Sequence, residues 1–246
     1  MEAKLNNQVD PGKIMQFGTG FLIKHITIKK EIQTMKNILN NIILILLTLF
    51  IVTSYAQDSG EKYYLSISHE VTDYTSWKTG YDKDLAPRKN AGLTDIFVKQ
   101  DINNTSLITA FFEVNDLAKA KAFVSDPRLK EAMAKAGVSS TPVIVFYESA
   151  TKFDKINPSA LITTVTHSVK DFSSWKKVYD SAEKLRQNAG VNDYLLLRSL
   201  SDKNLVTVLG TSSSAAKFNQ FVSNPDLKTA MDNAGVISKP EVRVML

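Results

Sequence analysis

The sequence predicts an α+β protein built from two tandem copies of one β-α-β-β-α-α-β unit, paired within a single chain. Three observations predict it. The stretch HEVTDYTSWKTGYDK from His69 recurs as HSVKDFSSWKKVYDS from His167. Trp77/Trp175, Tyr81/Tyr179, Arg88/Arg186, Gly92/Gly190, Pro127/Pro225, Gly137/Gly235 and Pro142/Pro240 keep the same step of 98 residues. No gap is needed from Tyr63 to the C-terminus, and about a third of the paired positions are identical. The period is too long for a solenoid repeat, so each copy is a small domain.

The elements follow in order from the first copy. Tyr63–Val71 alternates and is rich in β-formers, which predicts a strand. Asp73 and Asp171 are N-caps, because a carboxylate accepts from the free amides of a first turn. Tyr74, Trp77, Tyr81 and Leu85 then recur at helical spacing, as do Phe172, Trp175, Tyr179 and Ala182. Asn-Ala-Gly at 90–92 and 188–190 ends that helix, with glycine in the left-handed position. Strands follow over about Leu93–Ile102 and Ser106–Val114, joined by Asn103-Asn104. One helix starts from Asp116. A second starts at Ser-Asp-Pro, 125–127, where proline suits the first helical position, and Gly137 ends it. The last strand covers Pro142–Glu148.

This order is ferredoxin-like. Helices cover one face of such a sheet, and the other face must be covered too. A second copy supplies the cover, so the two sheets are expected to face each other around a lumen as an intramolecular pseudo-dimeric α/β barrel. The expected domains are 62–148 and 160–246, with 149–159 as linker.

Upstream, MKNILNNIILILLTLFIVTSYAQ from Met35 reads as a secretory signal peptide over 35–56. Lys36 is its basic flank, Ile42–Val52 its apolar run, and Ser54-Tyr55-Ala56 its cleavage site. Export to a bacterial periplasm or exterior is expected, with no stable membrane insertion after cleavage. Residues 1–34 form a leader with no assigned role.

The formal charge of +5 overstates the basicity of the mature part. The first 56 residues hold six Lys and three Asp/Glu, leaving 24 basic and 22 acidic residues. That balance gives no electrostatic case for nucleic acid. The chain has no Cys, which excludes disulfides, thiol catalysis and Cys-ligated metals. No GxSxG, HExxH or P-loop signature occurs after the signal peptide.

The candidate site residues come from the repeat. His69 and His167 end equivalent strands and are the only histidines after the signal peptide. They are catalytic candidates, since imidazole changes protonation near neutral pH. They also fit a structural role, bonding a carbonyl at the strand–helix corner. The stripe Trp77, Tyr81, Trp175 and Tyr179 is either core or ligand wall. Arg88 and Arg186 continue it, either bonding helix carbonyls or meeting an anion. The other face of the first strand carries Tyr64, Ser66 and Ser68, matched by Ile162, Thr164 and Thr166. Val143 and Val145 correspond to Glu241 and Arg243, which share a face as an ion pair or an exposed edge. No metal site or cofactor is expected.

The pattern H-x-V-x-D-[YF]-x-x-W-K-x-x-[YF]-D…R-x-N-A-G, followed by [ND]-P-x-L-K-x-A-M-x-x-A-G-V, resembles the dimeric α/β-barrel superfamily. More narrowly it resembles the cyclase-like members related to antibiotic biosynthesis monooxygenases. The resemblance covers nearly all of 62–246, once per copy. It implies a barrel that such families usually build from two chains. Haem-degrading relatives use an Asn–Trp–His set that does not map onto this sequence residue by residue.

Three readings of function follow. The first is an exported barrel binding a small, largely apolar ligand between the two repeats. The second is a cofactor-independent monooxygenase, or a related cyclase or lyase, acting on an activated aromatic or polyketide-like compound with His167 or His69 as base. The third is a structural or oligomeric interaction protein. Association of fused barrels into a homo-oligomer stays open.

Overall fold

The computed structural model describes Lys36, residues 62–151, Asn157 and residues 159–246. The expected leader, the signal peptide apart from Lys36, and most of the linker lie outside the described residues. Residues 61–246 form one compact unit. Among the described residues no helix is long and apolar enough to cross a membrane.

The chain runs β1 (Tyr63–Glu70), α1 (Tyr74–Lys83), α2 (Leu85–Asn90), β2 (Leu93–Gln100), β3 (Leu107–Val114), α3 (Leu117–Ser125), α4 (Pro127–Lys135) and β4 (Val143–Ser149). It continues through β5 (Leu161–Ser168), α5 (Phe172–Ser181), α6 (Glu183–Asn188), β6 (Val191–Ser199), β7 (Leu205–Ser212), α7 (Ala215–Val222), α8 (Pro225–Asn233) and β8 (Glu241–Met245). The protein is α+β, and the second series of elements follows the first at the step of 98 residues, as Tyr63–Glu70 and Leu161–Ser168 show.

Side chains set the helix starts. Asp73 accepts from the Ser76 amide at 2.7 Å and Asp171 from the Ser174 amide at 2.8 Å. Asp126 and Asn224 cap α4 and α8, each followed by proline at the first helical position. Gly92 ends α2 at φ 73°, and a Cβ there would lie 2.8 Å from the Asp116 Cβ.

The single helix expected after β1 is broken in two, at Asp84, and the same break falls at Ala182 in the second series. Arg88 Nη1 donates to the Tyr81 carbonyl at 2.5 Å, and Arg186 Nη1 to the Tyr179 carbonyl at 2.6 Å. Each guanidinium occupies a carbonyl that the next turn of one continuous helix would have used. Only the first series has a proline near the break, Pro87, so the arginine–carbonyl bond is the feature that both breaks share. The expected second strand is also shortened, to Gln100. Asp101 turns the chain there, accepting from the Asn103 and Asn104 amides at 2.8 and 3.0 Å.

The eight strands form one antiparallel sheet in the order β2-β3-β1-β4-β6-β7-β5-β8. β1 and β5 hold equivalent central places, each paired with two antiparallel neighbours. The two series join where Tyr147, Glu148 and Ser149 pair with Ser199, Arg198 and Leu197. At the ends of the order, β2 and β8 also meet. Asp101 bridges Met245, Gln100 and Leu246 exchange amide–carbonyl bonds at 2.9 and 3.0 Å, and the Ile102 amide donates to the Val244 carbonyl at 2.9 Å. That contact is one bridge long, not a continuous ladder.

The sheet has an inner face and a helix-covered face. Tyr64, Phe97, Phe111, Tyr147, Ile162, Leu195, Leu197, Leu209 and Met245 form one buried cluster that draws on all eight strands. The sheet is therefore curled around its own inner face. Leu65, Ile67, Leu93 and Phe112 pack on the other side with Leu117, Phe123 and Met133 of the first helices. A register shift between Asp95 and Phe97, repeated between Asp193 and Leu195, changes the alternation of β2 and β6. It lets Asp95 face the helices while Phe97 faces inward.

Candidate functional site

The sequence-derived candidates separate onto the two faces. His69, Trp77, Tyr81 and Arg88 lie between the first helices and the sheet, around a cavity of about 420 Å³. His167, Trp175, Tyr179 and Arg186 surround a cavity of about 120 Å³ in the second series. Ser66, Thr164, Glu241 and Arg243 instead line a cavity of about 220 Å³ on the inner face. Tyr64 lies in the inner cluster, its ring stacked 5.5 Å from Phe111. Grouping these residues as one site, as the sequence invites, joins positions that the sheet keeps apart.

The helix-side cluster is built the same way twice. The ring of His69 lies 5.4 Å from Trp77, Trp77 stacks 5.0 Å from Tyr81, and the Arg88 guanidinium sits 3.7 Å over the Tyr81 ring. In the second series the corresponding distances are 5.4, 5.0 and 3.7 Å. Asp95 completes the first cluster, accepting from Arg88 Nε at 3.1 Å and Nη2 at 3.0 Å. Asp193 accepts from Arg186 Nε at 2.8 Å. Sequence reasoning missed these two carboxylates. Their signal was present, since Asp95 and Asp193 recur at the common step.

Several polar atoms here lack partners. Both ring nitrogens of His69 and His167 are buried without a hydrogen bond, whereas the buried hydroxyls of Tyr81 and Tyr179 lie beside the carboxylates of Asp95 and Asp193. Among the described residues, no buried side-chain polar atom outside these two clusters shares that condition. Leaving such a group unsatisfied costs about 1–3 kcal/mol, so a repeated set of them points to a ligand or ordered water.

Burial pushes the imidazoles of His69 and His167 down to about 4. Both are neutral at physiological pH, each with one N–H donor and one acceptor nitrogen. Burial, aided by Asp95, also raises the Tyr81 hydroxyl above its ordinary value, and burial aided by Asp193 does so for Tyr179. The tyrosines therefore stay protonated. The cluster packs a neutral imidazole and a neutral phenol against an aromatic wall, with the cationic Arg88 held by Asp95.

The two cavities differ through a few substitutions. Gly80 lines the first, and Val178 stands at the equivalent place in the second. Phe112 and Ala120 of the first series become Gly210 and Phe218, moving the aromatic ring from strand to helix. At Gly210 a Cβ would lie 2.6 Å from the Asn192 carbonyl oxygen. Phe218, 2% exposed, helps fill the second cavity.

On the inner face, Ser68 and Thr109 share a hydrogen bond at 3.0 Å, and Thr166 and Thr207 share one at 2.9 Å. Phe97, Phe111, Leu197, Leu209 and Met245 supply the apolar lining. Arg243 Nε donates to Glu241 Oε1 at 2.6 Å, and Nη2 lies 2.5 Å from the same oxygen.

No protein-family model and no curated protein matches the sequence. Solved structures do match the fold. A proposed monooxygenase from Lactobacillus acidophilus aligns at TM-score 0.51 and 9% identity, over 76% of this chain and 94% of that one. An anthrone oxidase-like protein aligns at 0.55 and 10%, over 75% and 90%. A proposed chlorite dismutase aligns at 0.55 and 14%, over 75% and 94%. The chain has the ferredoxin-like fold shared by these monooxygenase-like and chlorite dismutase-like α/β-barrel proteins. At such identities the likeness is one of fold, and activity has to be argued from the site.

Proposed function

We propose that this chain is an exported small-molecule-binding protein, an intramolecular pseudo-dimeric α/β barrel of two ferredoxin-like repeats. It takes a small, largely apolar ligand with one hydroxyl or carbonyl group into the His69–Tyr81 cavity. The observation that carries this reading is a cavity of about 420 Å³ lined by His69, Trp77, Tyr81 and Arg88, beside an imidazole whose two nitrogens have no hydrogen-bond partner. A cavity of this size is ordinary for a small-molecule site. The barrel reading is supported by the inner cluster from all eight strands and by the contact between β2 and β8. Export is supported by the segment 35–56 of the sequence.

The helix-side cavity, about 420 Å³, is favoured over the space between the repeats, about 220 Å³, because it is larger and the unpartnered His69 imidazole lies beside it. Binding is favoured over His-based catalysis for an electrostatic reason. A histidine acting as base must become imidazolium, and no carboxylate contributes to stabilising that charge on His69. Its pKa of about 4 makes it a poor base at neutral pH.

The chain has two tryptophans, Trp77 and Trp175, so Trp175→Phe leaves Trp77 as the reporter on the cavity. With 1,4-naphthoquinone as probe, saturable quenching of Trp77 is expected. Gly80→Val, which copies the second series, should weaken it at least tenfold. Quenching that never saturates, or that Gly80→Val leaves unchanged, removes the assignment. Incorporation of an oxygen atom from ¹⁸O₂ into the reduced hydroquinone, absent from a protein-free control, would favour the monooxygenase reading instead.

A further inference from the structure

We propose that the inner-face cavity is a second, independent site, which holds a small carboxylate with an apolar body through Arg243. The cavity of about 220 Å³ is lined by strands from both repeats. At roughly 20–30 Å³ per non-hydrogen atom, judged from the volume of a water molecule, it holds about seven to eleven such atoms. Phe97, Phe111, Leu197, Leu209 and Met245 form the lining for the apolar body.

The two repeats contribute unequally at its mouth. Exposed Val143 and partly exposed Val145 stand where the other repeat has Glu241 and Arg243. A symmetric pair of identical chains would place two charged pairs or none. This chain places one, opposite an apolar wall, which suits a ligand with a single charged end.

Arg243 is the anchor. Its Nε and Nη2 both bond the same oxygen, Glu241 Oε1, so the guanidinium fork meets one acceptor where a carboxylate could offer two. The side chain of Glu241 is 57% exposed and that of Arg243 is 21% exposed. Glu241 can therefore swing into solvent while Arg243 stays against the cavity. Exposed pairs of this kind are weak, so an incoming carboxylate displaces Glu241 readily. Around this point the pairs Ser68–Thr109 and Thr166–Thr207 are already satisfied, whereas Ser66 and Thr164 lie outside those pairs. Glu241 acts as a placeholder, keeping the fork neutralised when the cavity is empty.

Octanoate, with ten non-hydrogen atoms, is the probe, and octan-1-ol is its neutral control. Calorimetry with the mature chain should show saturable octanoate binding, and at least tenfold weaker binding of octanol. Arg243→Gln should weaken octanoate at least tenfold. Glu241→Gln should tighten it severalfold, because it removes the competing anion, and this variant decides the matter even if Arg243→Gln folds poorly. Gly80→Val, which closes the helix-side cavity, should leave octanoate binding unchanged. Absence of binding, equal binding of octanol, weaker binding by Glu241→Gln, or loss in Gly80→Val each overturns the proposal. Failure of the naphthoquinone experiment does not bear on this site.

Discussion

Arg88 holds Tyr81 at two places: its guanidinium lies 3.7 Å over the phenol ring, and its Nη1 donates to the Tyr81 carbonyl at 2.5 Å. Asp95 holds the same guanidinium from the strand side. One residue thereby ends α1, fixes the aromatic wall of the cavity and ties helix to sheet. Arg186 repeats the arrangement on Tyr179 and Asp193. Arg88→Met should remove the ion pair, the carbonyl bond and the stacking together. Breaking a buried pair typically costs about 3–5 kcal/mol. Asp95 has a side chain 32% exposed and Asp193 one only 10% exposed. The loss should therefore fall near the lower end for Arg88→Met and be larger for Arg186→Met. Urea unfolding of both variants measures the order. Arg88→Lys should not restore stability, because an ammonium cannot make the fork and the stacking at once.

Stability should fall as pH drops through the histidine window. His69 and His167 have folded values near 4, below the ordinary 6.5. Between those values the unfolded chain binds protons that the folded chain refuses, so unfolding gains. Integrated over that window the loss is about 3 kcal/mol for each histidine. The contribution is whole above pH 6.5 and gone below pH 4. Asp73, Asp116 and Asp171 are lowered below 3.8 by hydrogen bonds from the residues they cap, and Asp126 by the Arg128 guanidinium and amide, so their effect begins only at lower pH. Thermal melts from pH 7 to 4 should show a steep fall, roughly halved in His167→Phe. A flat profile across that range would mean the imidazoles are not buried as described.

Much of this architecture was legible in the sequence because it rests on local, repeated signals. Asp73, Asp171, Pro127 and Pro225 mark helix starts, and each acts there. The alternation Tyr64-Ser66-Ser68 against Leu65-Ile67-His69 sorted residues between faces correctly for β1. The break at Asp84 was not legible, because it depends on a guanidinium returning from the next helix. The part played by Asp95 was hidden for a similar reason: the register shift before Phe97 changes which face the strand presents. Pattern reading assumes an unbroken period of two. The candidate site suffered most, since membership of a repeated motif does not say on which side of a sheet a residue lies.

Filling and emptying the second cavity offers a direct test of how the two series of elements differ. Phe218 stands where the first series has Ala120, and Gly210 where it has Phe112. Phe218→Ala should therefore lack the compensating ring that Phe112 supplies in the first series. A loss of about 3–5 kcal/mol is expected for a fully buried Phe→Ala change. The enlarged cavity should then take up 1,4-naphthoquinone, read as quenching of Trp175 in a Trp77→Phe background. An unchanged melting temperature would show that Phe218 is not part of the packed core.

The contact between β2 and β8 decides whether the curled sheet behaves as a ring in solution. The Gln100 amide donates to Leu246, the Leu246 amide to Gln100, and the Ile102 amide to Val244. At the other junction, between β4 and β6, the Leu200 amide donates to Phe146 at 2.9 Å and the Ala150 amide to Leu196 at 2.8 Å. Ile102 and Leu200 are equivalent by the step of 98, as are Val244 and Phe146, so the two junctions use the same bond. Met245, 1% exposed, lies behind the first, and Tyr147, 6% exposed, behind the second. Opening the β2–β8 junction would therefore expose apolar surface as well as break hydrogen bonds, and it should be rare. Amide hydrogen exchange reports this directly, since protection scales with the free energy of local opening. The amides of Gln100 and Ile102 should be protected within about tenfold of Leu200 and Ala150. Protection lower by a thousandfold or more would correspond to a junction weaker by about 4 kcal/mol. It would leave the sheet an open, curled one, with β2 and β8 as free edges.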